Sequence, residues 1–377
     1  MISISEPLKI AVLYGPLLTY RIDLFNVLSR FHRLTVFATT SPEMSRRTDF
    51  AVRVVPAISI GGVSIQPRLR ALIARGDFDV CIVFLDPRNV TALSAILMPL
   101  TPRVLTWGAW LTDSRIANWT RLAALSRSQA DIFYCYEHLR QFEHRGADVT
   151  KMYVAQNTVA VPTGPDSASA SGPRDSIVFV GSLTRRKGLN RLLRIFKMVL
   201  PQVSPLIRLV IVGDGPERTN IEREISRLDL QGRVRLMGRV EDSADLAKIY
   251  SRALVSVSLN QAGLTVLQSM GYGVPFVTVE GSISGGETYN ITNGVNGYLV
   301  EDCDAAIAFA ILSLLRDEPS RVSMGLAAKQ HYLRYATIEH YAQGFLDAID
   351  GTRRCPVWRG PGKPTEQQRD TRVVVGK

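Results

Sequence analysis

The chain has 377 residues, of which 46% are hydrophobic and 21% charged, so it is long for one hydrophobic core and too apolar for extensive disorder. Its net charge of +11 favours anionic partners such as phosphates, acidic lipid headgroups or nucleic acid, without choosing among them. Its four cysteines lack the spacing of a zinc site or a disulfide framework, and no segment approaches the roughly 18 apolar residues that span a bilayer.

In the first 161 residues, short runs rich in Val and Ile alternate with segments of helical period. These runs predict buried strands at LKIAVLYG, RLTVFAT, DVCIVFL, RVLTWG, DIFYCY and MYVAQNTV. Strands that alternate with helices form parallel, doubly wound sheets. We therefore predict a Rossmann-like N-terminal domain over residues 1–161.

The stretch PTGPDSASASGPRD, residues 162–175, is too rich in Pro, Gly and Ser to build a core and predicts a linker. The α/β rhythm then restarts with SIVFVGS, RLVIVGDG, VRLMGR, ALVSVSL and PFVTVE, which predict a second domain over 176–335. A helix with an apolar stripe follows at 336–351, and residues 352–377 are predicted to be a basic, disordered tail. The predicted fold class is therefore α/β, with two doubly wound Rossmann-like domains facing across a cleft.

Two strand-to-helix junctions of the second domain are suited to an anion. In VGSLTRRKGLN, Gly181 ends a strand and Arg186 and Lys187 precede a helix, so backbone N–H groups and two cations would face a ligand. A solvated basic turn is the alternative. In IVGDGPER, Gly213 and Gly215 leave room where a ligand approaches the backbone, although GDGP is also simply a good turn and helix start.

A third junction lies in LNQAGLTVLQSMGYG, where Gly263 permits a tight turn and the N–H groups of Leu264 and Thr265 would point at a ligand. The fourth is GGETYNITNGVNGYLV at residues 285–300. Several such junctions along one sheet edge favour a large phosphorylated ligand.

The motifs FVGSLTRRKGLNRLL, VIVGDGPER, VRLMGRV, GLTVLQSMGYGVPFVT and NGVNGYLV have an order and spacing that resemble the C-terminal domain of GT-B fold glycosyltransferases, specifically glycosyltransferase family 4. In the first domain the resemblance is one of outline, such as the strand that ends at Gly15. It implies a retaining transferase that uses a nucleotide-diphosphate sugar, with no metal or other cofactor, and a first domain on the acceptor side.

The resemblance also assigns residues to roles. Arg186 and Lys187 fall on the pair that grips the donor diphosphate, where positive charge stabilises the departing group. Arg239 and Val240 match the segment that lines the base, with an ordinary strand end as the alternative. The remaining predicted donor-binding residues are Gly15, Gly181, Gly213, Gly215, Gly263, Leu264, Thr265 and Gln268.

One departure from the family concerns two glutamates, separated by seven residues, that many members carry. Those places hold Asn260 and Gln268, so the chain resembles a divergent member that lacks both. Amides hydrogen-bond to hydroxyls, but they cannot act as a carboxylate base. Asn260 is therefore predicted to face the sugar as the third catalytic residue, beside Arg186 and Lys187. A missing base is tolerable in front-face attack, in which the leaving phosphate accepts the proton of the acceptor.

The predicted function is transfer of a sugar to a glycan or lipid-linked glycan in bacterial surface polysaccharide biosynthesis. A catalytically inactive nucleotide-sugar-binding subunit of a glycan assembly complex is the alternative. We expect a cytoplasmic protein that at most rests on an anionic membrane surface, the inner face of the cytoplasmic membrane, through basic residues and through Trp107, Trp110 and Trp119. We expect no nucleic-acid binding, because the basic residues of the tail are not interleaved with aromatic ones.

Overall fold

The computed structural model of the protein describes residues 6–41, 47–162 and 173–360. The chain divides into two compact units, Met1–Ala160 with Ile338–Trp358 and Val161–Thr337 with Arg359–Lys377. Each unit contains a parallel sheet with helices between its strands, as the alternating pattern predicts. Among the described residues, no helix combines the length and apolarity needed to cross a membrane.

The first unit holds a seven-stranded parallel sheet and a separate hairpin. Its strands are β1 (Lys9–Leu13), β2 (Arg33–Ala38), β3 (Ala51–Val54), β4 (Ile58–Ile60), β5 (Val63–Ile65), β6 (Val80–Phe84), β7 (Arg103–Trp107), β8 (Ala130–Phe133) and β9 (Met152–Val154). Its helices include α1 (Thr19–Ser29), α2 (Leu69–Arg75), α3 (Val90–Leu97), α4 (Arg115–Arg127) and α5 (Tyr136–Glu143). Strands β3 to β5 were not predicted.

The sheet order is β3-β2-β1-β6-β7-β8-β9, so β1 is paired with β2 on one side and β6 on the other. The chain therefore winds away from β1 in one direction and returns to continue from β6 in the other. The loops that follow β1 and β6 diverge at this point, which is where open α/β sheets bind ligands.

The second unit repeats this plan with six parallel strands in the order β12-β11-β10-β13-β14-β15. These strands are β10 (Ser176–Val180), β11 (Arg208–Val212), β12 (Val234–Gly238), β13 (Ala253–Val257), β14 (Phe276–Val279) and β15 (Gly297–Val300). The helices are α6 (Leu189–Val199), α7 (Arg218–Arg227), α8 (Ser243–Ser251), α9 (Thr265–Gly271), α10 (Asp304–Arg316) and α11 (Glu318–Tyr335). Here the winding direction reverses between β10 and β13, which are adjacent in the sheet.

The last helix, α12 (Ile338–Asp350), belongs to the first unit and packs against α1, β8 and β9. A buried guanidinium joins these elements. Arg21 of α1 donates to Asn157 Oδ1 at 2.8 Å, to Tyr134 Oη at 3.2 Å and to Tyr14 Oη at 3.3 Å, and it also donates to Tyr341 Oη of α12. Tyr14 directly follows β1, so this network fixes the start of the β1 loop.

The prediction of a disordered tail beginning at residue 352 is wrong for its first residues. The carboxylate of Asp347 accepts the backbone N–H groups of Arg354 and Cys355, both at 2.7 Å, and thereby fixes the turn after α12. Arg353 then donates to the carbonyl oxygen of Met152 at 2.8 Å. Residues 361–377 lie outside the described residues, as does most of the predicted linker.

Candidate functional site

The site lies at the carboxyl ends of β10 and β13, where the winding of the second sheet reverses. The loop after β10 carries Gly181 and a short 3₁₀ helix, Arg185–Lys187, before α6 begins. The loop after β13 carries Asn260 and Gln261 and leads into α9. The first and third predicted junctions therefore lie side by side.

The ammonium of Lys187 occupies the centre of this site. Only 9% of Lys187 is exposed, and its Nζ donates to the carbonyl oxygen of Gln261 at 3.3 Å. A Cβ atom placed on Gly181 would lie 3.7 Å from that Nζ, so the ammonium also lies over the end of β10. Burial lowers the pKa of Lys187 and so does neighbouring Arg186, whereas the carboxylate of Glu287 raises it, and the net shift is downward.

The two glycines of the GDG turn have a structural role that differs from the predicted one. A Cβ on Gly213 would lie 1.9 Å from the carbonyl oxygen of Gly181, and one on Gly215 would lie 2.6 Å from that of Leu183. The space that a side chain would need at these glycines is thus filled by the backbone of the β10 loop. Leu183 N–H also donates to the carbonyl oxygen of Asp214 at 2.9 Å, which locks the two loops together.

The three basic residues of the 3₁₀ helix after β10 differ in burial and in ion pairing. Arg186 is exposed next to the buried Lys187. Its neighbour Arg185 pairs with Glu217 at 3.3 Å. The first junction loop thus presents the buried Lys187 and the exposed Arg186 at the switch point.

Arg239 and Val240 follow β12, at the edge of the sheet. Arg239 is exposed and its Nε donates to Glu241 at 2.6 Å, whereas Val240 is half-buried. Gly238, the residue before Arg239, contacts the GDG turn, because its carbonyl oxygen accepts the N–H of Gly213 at 2.7 Å.

Asn260 lies next to the loop that carries the two cations. A Cβ on Gly188 would lie 2.5 Å from Asn260 Oδ1, so the exposed amide covers the backbone directly after Lys187. Gln268 is in a different situation, because its Oε1 accepts the hydroxyl of the buried Tyr250 at 3.2 Å. Its amide N–H₂ is the group left to meet a ligand.

Residues 263–265 form the entrance to α9. A turn begins at Gly263, whose carbonyl oxygen accepts the N–H of Val266 at 3.0 Å, although its φ is not positive and a Cβ there would meet no atom within 4 Å. Leu264 and Thr265 form the first turn, whose N–H groups have no carbonyl partner within a helix. Among the described residues, the buried hydroxyl oxygen of Thr265 also has no hydrogen-bond partner.

A carboxylate that sequence reasoning missed lies in the fourth junction. Glu287 is 3% exposed, and its Oε2 accepts the N–H of Gly285 at 2.7 Å and the hydroxyl of Ser284 at 2.9 Å. Ile283, just before this segment, pairs with the β13 loop through the carbonyl oxygen of Asn260 at 2.9 Å. The available signal was the glutamate that follows the glycine pair in SGGE.

The first unit has its own cavity, of about 420 Å³, at the point where β1 and β6 separate. Gly15 lines this cavity, with Ser59 and Ser64 of the hairpin and with Asp86 and Asn89 from the β6 loop. Arg88 donates to the Asp86 carboxylate through Nε at 3.0 Å and Nη2 at 2.9 Å. Burial raises the pKa of Asp86, whereas the hydrogen bonds and the charge of Arg88 lower it by a larger amount. The net pKa of Asp86 therefore lies below its usual range.

The second-unit site has the chemistry of an anion receptor. Its adjacent loops carry a buried ammonium, an exposed guanidinium, the amide of Asn260 and the first-turn N–H groups of α9. Such a site suits a diphosphate that carries hydroxyl-bearing groups.

Comparison with known proteins agrees with this geometry. Residues 166–331 match the sequence model of the family described as glycosyl transferases group 1. The chain is 28% identical over 155 residues to N-acetyl-alpha-D-glucosaminyl L-malate synthase of Bacillus anthracis, covering 41% of this chain and 39% of that protein. It is 28% identical over 162 residues to the lipopolysaccharide core biosynthesis glycosyltransferase LpsE of Rhizobium meliloti, covering 42% and 45%. The matches thus span less than half of either relative.

The likeness to solved structures extends over most of the chain. Anabaena Alr3699/HepE, solved in complex with UDP and glucose, superposes with a TM-score of 0.69 at 17% identity, covering 91% of this chain and 99% of that one. The two parallel sheets and this likeness confirm the predicted α/β fold class with two doubly wound Rossmann-like domains. Residues 166–331 thus match the glycosyl transferases group 1 family model, and the chain shares its fold with this solved structure over most of its length.

Proposed function

We propose that the chain is a retaining glycosyltransferase of family 4 that transfers a sugar from a nucleotide-diphosphate sugar to a glycan or lipid-linked glycan in bacterial surface polysaccharide biosynthesis. The observation that carries this proposal is the buried Lys187 ammonium at the switch point of the second sheet. Burial of a cation is costly unless an anion offsets it. Glu287 offsets part of this cost, and a bound diphosphate would add a second anion at the place where α/β sheets bind nucleotides.

Lys187 and Arg186 would act on the leaving group. When the bond between the anomeric carbon and the phosphate oxygen breaks, negative charge develops on the departing nucleoside diphosphate. The two cations, with the N–H groups of Leu264 and Thr265, would stabilise that charge more strongly as it grows. Because these side chains supply the positive charge, the proposal includes no metal ion.

Asn260 would position the sugar without taking part in proton transfer. Its amide lies beside the Lys187 loop and can both donate to and accept from a sugar hydroxyl. The acceptor hydroxyl oxygen bonds to the anomeric carbon while the bond to phosphate breaks, and the hydroxyl proton passes to the departing phosphate oxygen. No carboxylate at position 260 is then required.

The acceptor would be held by the 420 Å³ cavity of the first unit. Asp86 and Asn89 line this cavity, with several hydroxyl-bearing side chains, and such groups suit the hydroxyls of a sugar. Two relatives from Rhizobium meliloti, LpsE and LpsD, are named lipopolysaccharide core biosynthesis glycosyltransferases. Their names support a surface glycan as the acceptor class.

A second candidate function is a nucleotide-sugar-binding subunit without catalytic activity. The observation that favours it is the state of Gln268, whose amide oxygen is already bonded to Tyr250. A carboxylate at that position would have offered two acceptor oxygens to a ribose, and the amide offers donors instead.

A panel of UDP-, GDP- and ADP-sugars tests the proposal. A nucleotide-sugar that binds only the folded chain raises the melting temperature, so the true donor is expected to give the largest shift. Proton NMR of the product then reports the anomeric configuration, which is expected to match that of the donor, with or without EDTA. An inverted product would contradict the retaining assignment, and binding without turnover would favour the second candidate.

The pH dependence of donor binding is expected to shift when Glu287 is neutralised. Protonated Lys187 binds the diphosphate, so affinity falls as pH rises through the pKa of Lys187. Glu287 raises that pKa, and its removal in Glu287→Gln should lower it. The alkaline loss of affinity should therefore occur at lower pH in Glu287→Gln than in the wild type.

Dissociation constants measured from neutral pH up to about pH 10.4, the ordinary lysine pKa, give the midpoint of this loss. Glu217→Gln is the matched control, because Glu217 pairs with Arg185 and not with Lys187. An unchanged or higher midpoint in Glu287→Gln would show that Glu287 does not act on Lys187.

A further inference from the structure

The β4–β5 hairpin of the first unit has its apolar side chains on the outside. We call Ile58, Ile60, Val63 and Ile65 its apolar face. These residues are 56%, 74%, 41% and 47% exposed, respectively. In an ordinary half-buried hairpin the apolar residues point to the core and the polar ones to solvent, so this arrangement is inverted.

The intervening residues of the hairpin face the cavity of the first unit. Ser59 and Ser64 are directly paired in the antiparallel register, and both line the 420 Å³ cavity. Successive side chains of a strand point to opposite faces. The hairpin is therefore a thin wall with the proposed acceptor cavity on one side and an exposed apolar surface on the other.

The base of the hairpin is held firmly, so its exposure belongs to the folded structure. The N–H of Ser64 donates to the carbonyl oxygen of Arg88 at 2.8 Å. Gln66 donates through its backbone to Thr91 Oγ1 and through its side chain to the carbonyl oxygen of Val55, both at 2.9 Å.

The segment that holds the apolar face, between Asp49 and Asp77, carries positive charge only. Residues 51–76 contain four arginines and no Asp or Glu. Arg53, Arg68 and Arg75 are exposed. An exposed apolar patch flanked by arginines matches an anionic lipid surface, which offers acyl chains below a layer of negative headgroups.

Two further exposed apolar side chains lie in the first turns of α4, which follows the carboxyl end of β7. Ile116 and Trp119 are 80% and 70% exposed. Helix α3 packs against both β5 and α4, so it lies between the hairpin and this pair. Tryptophan favours the boundary between water and lipid. Of the three tryptophans predicted to aid membrane contact, Trp119 is the exposed one, whereas Trp107 is buried and Trp110 stacks on Tyr134.

We propose that the apolar face of the β4–β5 hairpin docks on an anionic membrane surface. This inference rests on the proposed function for its purpose, since docking would bring the cavity behind Ser59 and Ser64 to the headgroup of a lipid-linked acceptor. A second copy of the chain is a less suitable occupant. Four side chains are far fewer than the roughly 20 to 30 residues per partner in a stable protein interface.

The test uses the full chain and sedimentation with vesicles of phosphatidylcholine that contain about 30% phosphatidylglycerol. The triple variant Ile58→Ser, Ile60→Ser, Val63→Ser removes most of the apolar face and leaves the cavity lining intact. Its vesicle partition coefficient is expected to fall by about tenfold or more. The matched control Leu206→Ser, Val322→Ser, Leu326→Ser changes three exposed apolar side chains of the second unit and should bind like the wild type.

Melting temperatures of both variants confirm that each is folded, and the donor panel is run on the same samples. Equal loss of vesicle binding in both triple variants, or none in the hairpin variant, would overturn the docking surface. So would a wild-type dimer in vesicle-free solution that the hairpin variant converts to a monomer. Failure of donor turnover with intact, hairpin-dependent vesicle binding would instead count against the proposed function alone.

Discussion

Replacing Arg186 and Lys187 together by alanine is expected to weaken binding of the nucleotide-diphosphate sugar by about 100-fold or more. Each cation would make a charge-assisted hydrogen bond to the diphosphate worth about 1.5 kcal/mol or more, and two such bonds amount to at least about two factors of ten. Lys187 should contribute more than Arg186, because it is buried and its charge is less screened by water. Calorimetric titration of the full chain measures the effect.

The matched control for this experiment is Arg185→Ala. Arg185 belongs to the same 3₁₀ helix, but it pairs with Glu217, so its loss should change donor affinity little. Retained affinity in the double variant would refute the assignment of Arg186 and Lys187. A loss of similar size in Arg185→Ala would show that the effect reflects disturbance of the loop and not lost contacts of Arg186 and Lys187.

Gly213→Ala is expected to destabilise the second unit by about 3 kcal/mol or more, through overpacking combined with backbone strain. The added Cβ would lie 1.9 Å from the carbonyl oxygen of Gly181, and φ at Gly213 is +138°. Because the clash is with backbone, the β10 and β11 loops must separate. Donor binding should therefore be lost at the same time, since the β10 loop carries Arg186 and Lys187.

Gly232→Ala provides the control, because a Cβ there meets no atom within 4 Å. Hydrogen exchange of β10 and β11 is the suitable measurement, since it reports on the second unit separately from the first. Exchange that is unchanged in Gly213→Ala, or equally faster in both variants, would contradict the close contact between the two loops.

The architecture could be predicted because fully buried parallel strands leave a strong signal. Runs such as DVCIVFL and SIVFVGS are apolar on both faces, and the helices between them force the strands to run parallel. The strand-end loops were predicted as a candidate ligand site, and in the structure Gly181, Lys187, Gly213 and Asn260 lie on loops that contact one another.

What could not be predicted depends on partners far away in the sequence. Glycines that admit a ligand and glycines that admit another backbone look alike in a sequence, so the close contact of Gly213 with the β10 loop could not be predicted. The hydrogen bond between Tyr250 and Gln268 depends on how α8 and α9 lie relative to each other. The residues directly after α12 are held by Asp347. An aspartate is usually exposed, so its burial could not be inferred from the sequence.

The hairpin was missed for a different physical reason. ISIGGVSI alternates apolar and small polar residues, which is the pattern of a strand with one buried face. Its apolar face is exposed instead, so neither burial nor a place in the main sheet could be inferred.

Transferase activity is tested most directly by the release of nucleoside diphosphate from the donor that stabilises the chain most. With a lipid-linked glycan extract present, the wild type is expected to release nucleoside diphosphate over many turnovers. The double variant Arg186→Ala with Lys187→Ala should release no more than the protein-free reaction. Release by the wild type no faster than the protein-free reaction, for a donor that binds tightly, would contradict the transferase assignment and leave a nucleotide-sugar-binding subunit.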